Sequence, residues 1–328
     1  MDAAFSRRQV ALAAAALALS AMGSRVTLAQ GAAVPRDILL AGGIPSGTFN
    51  EVAAAICSIV NARDAKDFQC KARGSAGSSA NVNSVGRRLE DFGLAQADIV
   101  WFAGNGTRDW VGKAMPQLRT ILPLFFQAVT LVTRADTGIK SVADIRGRTV
   151  SVSNPGSGSR LNALDVLSWH GLMPDRDFVS RPFELNQAVR SLIQGEIDAF
   201  FFTVGHPTAA ITQASEAVPI ALVPIDGPEV AAALRSQPYY LMGNLPGRHY
   251  RGVSDAVRTV GVRALLITHE QQSREIVYQM TKALADNWDQ LRSMHGAVQA
   301  LRPDDIARQP AAPFHPGAIR YFRERGFM

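Results

Sequence analysis

Apolar positions along the chain alternate between short β-branched runs and longer stretches with apolar residues three and four apart. The first pattern predicts buried strands and the second predicts amphipathic helices. Asp37–Ala41 reads as a strand, followed by a helix to about Asn61 whose apolar face is Val52, Ile56, Ile59 and Val60. Phe68–Ala72 is a second strand, and residues 90–95 end a short helix and begin a third strand, with Gln96-Ala97-Asp98 at its carboxyl end. Residues 118–135 read as two strands broken at Pro123, where the chain first crosses between lobes. Thr149–Val152 is a strand, and a helix from Ser159 to about His170 is ended by Gly171. Val189, Leu192 and Ile193 mark a further helix, residues 195–202 lead into a strand, and Ile220–Val223 is another. Tyr239-Tyr240 and Leu245–Tyr250 read as loop, Val260–Ile267 as the returning strand, and Ser273–Met294 as one long helix stopped near Gly296. His315-Pro316-Gly317-Ala318 opens a terminal helix. This alternation predicts an α/β protein with parallel-rich sheets, and 328 residues exceed one ordinary core, so two lobes are expected.

Three loops between predicted strands and helices are rich in glycine and hydroxyl side chains. They are Gly42–Phe49, Arg73–Asn81 and Asn154–Ser159. The last contains Ser157-Gly158-Ser159 at the point where a helix should begin. A helix start leaves backbone N–H groups unpaired and carries partial positive charge, so it receives carboxylate or phosphate. An ordinary serine cap with a turn glycine is the plainer reading of the same residues. In the first loop Gly47 allows close approach, Thr48 caps or contacts ligand, and Phe49 stacks on ligand or packs in the core. Gln96 can donate an amide N–H to a carboxylate, and Asp98 caps the next helix or accepts from an amine. Thr203 and the backbone at Gly205 close a strand at its carboxyl end, where α/β sheets bind ligands. His206, before a proline, reads as a structural hydrogen-bonding residue.

The first 29 residues change the picture of the amino terminus. Arg7 and Arg8 precede an apolar run from Val10 to Met22, and Thr27-Leu28-Ala29 supplies small residues for cleavage. We expect a signal peptide over 1–29, cleavage after Ala29, and export. Losing Arg7, Arg8, Arg25 and Asp2 takes the formal charge from +6 to +4. The basic residues are scattered without interleaved aromatics, which argues against nucleic acid. Cys57 and Cys70 are the two cysteines. In an oxidising compartment an even pair is compatible with one disulfide, helix to strand, with two buried thiols as the alternative. No nucleophile elbow, paired acid and base, or metal-ligand spacing stands out, so neither catalysis nor a cofactor is expected. Gly156-Ser157-Gly158 lacks the third glycine and the later acidic residue of a dinucleotide site.

Taken in order, several motifs resemble the TAXI family, the solute-binding proteins of a class of TRAP transporters. They are Gly47-Thr48-Phe49, Gly77–Asn81, Leu94–Asp98, Ile139–Gly147, Gly156–Ser159, Asp198–Pro207 and His315–Ala318. The resemblance covers residues 36–328. It implies a type II periplasmic-binding fold, with two α/β lobes joined by two crossover strands and closing on a ligand cleft. It places lobe 1 at 36–125 plus 266–328 and lobe 2 at 126–265. It implies a periplasmic protein that delivers a small anionic solute, glutamate, glutamine or 2-oxoglutarate-like, to a TRAP-type membrane permease. The ligand-binding residues would be Gly47, Thr48, Phe49, Asn81, Gln96, Ser157, Gly158, Ser159, Thr203 and Gly205. Phe49 stands where the family commonly has tyrosine, and Ser79-Ala80 replaces a usual valine-glutamate, leaving Asn81 in common. A binding protein of an ATP-driven importer, or a ligand sensor, is the alternative use of the same fold.

Overall fold

β1 (Arg36–Ala41) pairs in parallel with β2 (Phe68–Arg73) on one side and β3 (Phe92–Gln96) on the other. From their carboxyl ends leave α1 (Thr48–Asn61), α2 (Ser78–Gly86) and α3 (Ala97–Asn105). The structure, a computed structural model, describes residues 35–45, 47–63, 67–300, 302 and 311–328. The expected signal peptide lies outside these residues. On α1, Val52, Ile56, Ile59 and Val60 are all buried, as their helical spacing requires. Cys57 of α1 and Cys70 of β2 are joined through their Sγ atoms, with Cα atoms 4.9 Å apart.

Two long antiparallel strands carry the chain between the halves: β4 (Leu118–Arg134) and β10 (Val257–His269). Between them lie β5 (Thr149–Ser151), α4 (Gly158–Trp169), β6 (Val179–Arg181), α5 (Leu185–Gln194) and β7 (Ala199–Val204). Then come α6 (Ala209–Ala217), β8 (Ile220–Val223), α7 (Pro228–Ser236) and β9 (Tyr240–Leu245). After β10 the chain adds α8 (Arg274–Asp286), α9 (Trp288–Met294) and α10 (Pro316–Glu324). The sheet order is β2-β1-β3-β10-β4-β7-β5-β6, with β8 also on β4 and β9 also on β10.

The apolar core divides along these crossing strands. Clusters around Ile56, Phe92, Leu266 and Phe322, and around Val82, Ile99 and Trp110, take β4 up to Phe125 and β10 from Ala264. Clusters around Val150, Val166 and Phe201, and around Val132, Leu192 and Ile211, take β4 from Ala128 and β10 up to Val262. Alternate residues of one strand enter different clusters, as the pleat dictates: Leu266 enters one and Leu265 the other.

Three expectations need correction. Pro123 does not break β4, which runs unbroken for 17 residues. Proline offers no N–H to a ladder, but here only β10 pairs with β4, because β7 and β8 join it from Ala128 and Leu131 onward, and the β4–β10 register shifts beside it. Tyr240 and Leu245, expected in loops, are the two ends of the edge strand β9, which is held by pairing to β10 rather than by any alternation of its own. The helix expected over Ser273–Met294 is two, α8 and α9, separated at Asn287, whose φ and ψ of −115° and 34° leave the helical region.

Candidate functional site

Loops from the carboxyl ends of β1, β2, β3, β5 and β7 meet over one cavity of about 50 Å³. One water needs roughly 10–15 Å³ on this measure, so the space suits a small solute. Gly43, Ile44, Gly47–Phe49 and Ala76–Ser78 contribute from one lobe, together with Gln96. Asn154, Ser157–Ser159 and Phe202–Val204 contribute from the other, and Gln127 rises from β4 between them.

Three helices point their starts at this space. α1 begins after Gly47 and α2 after Gly77, and neither start has a side-chain cap. Gly77 has φ of +117°, a conformation that an L side chain rarely adopts, so glycine is needed to turn the chain into α2. The first-turn N–H groups of Thr48, Phe49, Ser78 and Ser79 therefore have no intrahelical acceptor. α4 is capped by Ser157, whose hydroxyl accepts from Arg160 N at 3.2 Å and donates to Asn154 O at 2.7 Å. Its N–H groups at Gly158 and Ser159 are left over. No lysine or arginine lines the cavity among the described residues. Positive potential there comes from helix starts, each worth roughly half a charge. Ile44, Phe49, Phe202 and Val204 form the apolar wall.

The structure brings Gly47, Thr48, Phe49, Gln96, Ser157, Gly158, Ser159 and Thr203 together around the cavity. Their hydroxyls are used differently from the expectation. Thr48 Oγ1 donates across the cleft to Gly205 O at 2.9 Å. Ser159 Oγ accepts from Thr203 N at 3.1 Å and donates to Thr203 O at 3.3 Å, fixing α4 to β7. Thr203 Oγ1 is buried without a partner. Gln96 Nε2 donates to Asn162 Oδ1 instead of facing the cavity, and Gln96 Oε1 accepts from Ser78 Oγ at 3.1 Å. Gly158 is required by that contact: a Cβ there would lie 1.6 Å from Gln96 Oε1.

Two expected ligand residues lie off the cavity. Asn81 is fully buried under it, and its Nδ2 donates to Gly42 O and Leu94 O, both at 2.6 Å, tying the ends of β1 and β3. Gly205 serves as the acceptor for Thr48, and a Cβ on it would meet the Phe125 ring at 2.8 Å. His206 is a structural residue. Its Nδ1 meets Tyr250 Oη at 2.6 Å and its Nε2 meets Thr130 Oγ1 at 2.8 Å. Burial, with His249 nearby, pushes it down to about 3.

Sequence reading missed Gln127, which is 3 % exposed, lines the cavity, and has no side-chain hydrogen bond to a described residue. Its signal was a lone amide inside the apolar run Phe125–Val129. It also missed a buried cluster beside the cavity. Asn162 Nδ2 donates to Asp98 Oδ2 at 2.6 Å and to Tyr240 Oη at 2.7 Å. Tyr240 donates to Asp165 at 3.1 Å, and Arg108 pairs with Asp165 at 2.7 Å. Burial pushes Asp98 up to about 7 against the hydrogen bond from Asn162, and burial also raises Asp165 against the attraction of Arg108.

Among the described residues no helix is long and apolar enough to cross a membrane, and no group of His, Cys, Asp and Glu is placed to hold a metal. The profile of the NMT1-like family matches residues 40–326. MatC from Rhodopseudomonas palustris with bound malate is similar, at 15% identity and a TM-score of 0.58, over 89% of this chain and 96% of that one. A putative L-cystine ABC transporter from Listeria monocytogenes matches at 13% identity and 0.50, over 81% and 97%. A structure from work on glutathione import by Streptococcus mutans matches at 13% and 0.50, over 83% and 98%. At these identities the likeness is one of fold, that of type II periplasmic binding proteins with two lobes.

Proposed function

We propose that this chain, which belongs to the NMT1-like family, is an exported solute-binding protein that closes on a small carboxylate and hands it to a membrane permease of the TRAP type. The TAXI-like motifs support the permease class, and those at Gly47–Phe49, Gly77–Asn81, Leu94–Asp98, Gly156–Ser159 and Asp198–Pro207 each supply residues to the cavity lining. The observation that carries the ligand class is the convergence of three helix starts on one small space without a lysine or arginine. Such a space receives a carboxylate group through backbone N–H groups. Thr203, with its buried unpaired hydroxyl, and Gln127, with its free amide, supply orienting contacts. Phe49, Phe202 and Val204 cover the carbon part of the solute. Asn81 and Gly205 shape the cleft from behind. Glutamate, glutamine and 2-oxoglutarate-like acids fit this description. The lining offers no nucleophile with a base beside it, so the arrangement binds rather than reacts.

Both lobes contribute to the cavity, so only the closed form makes every contact and ligand shifts the population toward it. The test is a thermal-shift screen of residues 30–328, partly unfolded and refolded to strip carried-over ligand, against amino acids, dicarboxylates and 2-oxo acids. A ligand at one hundred times its Kd stabilises by about 2.7 kcal/mol. A clear rise in Tm with one of these carboxylates is the expected result. A response confined to neutral or cationic solutes overturns the carboxylate assignment.

A further inference from the structure

Gln96 is the one amide that touches both the cavity and the buried cluster behind it. Its two ends are chemically opposite, and which end faces the solute decides whether the cleft offers a donor or an acceptor there. The side chain is 2 % exposed. Its Nε2 points away, to Asn162 Oδ1, and its Oε1 lies against Ser78 Oγ and the start of α4. That orientation is set one residue further back. Asn162 gives both Nδ2 hydrogens away, to Asp98 Oδ2 and Tyr240 Oη, which leaves its Oδ1 as the acceptor for Gln96. An ionised carboxylate only accepts, so ionised Asp98 holds Asn162, and Asn162 holds Gln96.

We infer that Asp98 is a positioning residue for the solute site: through Asn162 it fixes which end of the Gln96 amide faces the cavity. This rests on reading the cavity as the solute site. Asp98 does not line the cavity and is fully buried, and its Oδ1 has no partner. A proton on Oδ2 turns that oxygen into a donor. Asn162 then meets it with Oδ1, its Nδ2 turns to Gln96, Gln96 Oε1 accepts, and Gln96 Nε2 turns toward the start of α4. The cleft gains an N–H where it had an oxygen. The groups facing Asp98 bear on that proton from each side. Asp165 on α4 opposes ionisation, as does burial, and the Asn162 hydrogen bond favours it. Arg108 neutralises part of Asp165. Tyr239 and Tyr240 are held neutral by burial. Burial pushes Asp98 up to about 7, so the acceptor form of Gln96 gains as pH rises and the donor form gains as pH falls, and carboxylates bind more tightly on the acid side.

The test needs no solute, so its outcome is independent of the thermal-shift screen. Side-chain amide signals of the ¹⁵N-labelled chain are followed from pH 5.5 to 8.5, with the Gln96 pair identified by its loss in Gln96→Glu. In the wild type that pair moves with a midpoint near neutrality. In Asp98→Asn it stays still across the range while the backbone spectrum remains native. Asn162→Ser is the second variant, which leaves Asp98 in place but interrupts the relay; there too the Gln96 pair stays still. A Gln96 pair that ignores pH in the wild type, or moves alike in a folded Asp98→Asn or Asn162→Ser protein, overturns the inference.

Discussion

The seam between the lobes has two parts of opposite character. In the cavity, apolar walls surround polar groups that lack partners: the helix-start N–H groups, Thr203 Oγ1 and the Gln127 amide. A few residues away, around Asn162, charged and polar side chains are buried and almost every one is mated across the seam. Unpaired buried polar groups are costly, and a cluster that pairs them is stable with nothing added. The second part therefore supplies contacts between the lobes that need no solute, while the first is complete only when a solute supplies the missing acceptors and so adds what favours closure. A clamp and a receptor lie side by side, and Gln96 belongs to both.

The largest effect should come from a change that touches both parts at once. In Gly158→Ala the new Cβ falls 1.6 Å from Gln96 Oε1 and 3.1 Å from Ser78 Oγ. Gln96 cannot move aside without leaving Asn162. Overpacking of this kind costs about 1–3 kcal/mol, and since about 1.4 kcal/mol is tenfold in binding, the solute found by thermal shift should bind ~10–100-fold more weakly by titration calorimetry. Small-angle scattering should show a particle that no longer contracts on adding that solute. Native affinity in Gly158→Ala would mean that the lobes do not close through this contact.

How much of this was legible from the chain depends on whether a feature is local. The strands and helices around β1, β2, β3, β5 and β7 follow from apolar spacing, and the glycine and serine loops between them announce helix starts. Those loops line the cavity. What sequence could not give was the partner of each hydroxyl. Ser157, Ser159 and Thr203 look alike as ligand contacts, yet two of the three spend their hydroxyls on the protein. Asn81 has the residue type of a ligand contact and ties two strands instead. The clamp was invisible for a related reason. Asp98 on α3, Asn162 and Asp165 on α4, and Tyr240 on β9 come from three elements far apart in sequence, and only the crossing of β4 and β10 brings those elements together. β9 was missed because a strand at the edge of the sheet is stabilised by its neighbour, here β10.

The difference among those three hydroxyls gives the next prediction. Thr203→Val keeps shape and burial but removes the one hydroxyl of those three that has no protein partner. The net value of a neutral hydrogen bond is about 1 kcal/mol, so solute binding should weaken roughly fivefold with Tm of the unliganded protein unchanged or raised. An unchanged Kd would remove Thr203 from the receptor.

Ser157→Ala is the complementary case and the smallest effect on binding. Its hydroxyl accepts from Arg160 N and donates to Asn154 O, so it has no hydrogen left to give a carboxylate. Removing a serine cap costs about 1 kcal/mol of stability, and that loss should appear in denaturant midpoint. The N–H groups of Gly158 and Ser159 remain, and so does the dipole of α4, so Kd for the solute should change by less than about twofold. The two variants thus trade places: Thr203→Val loses affinity and keeps stability, and Ser157→Ala loses stability and keeps affinity. A Ser157→Ala protein that is stable but binds poorly would show the α4 start acting through its hydroxyl, and the backbone would lose its place as the receptor for the carboxylate.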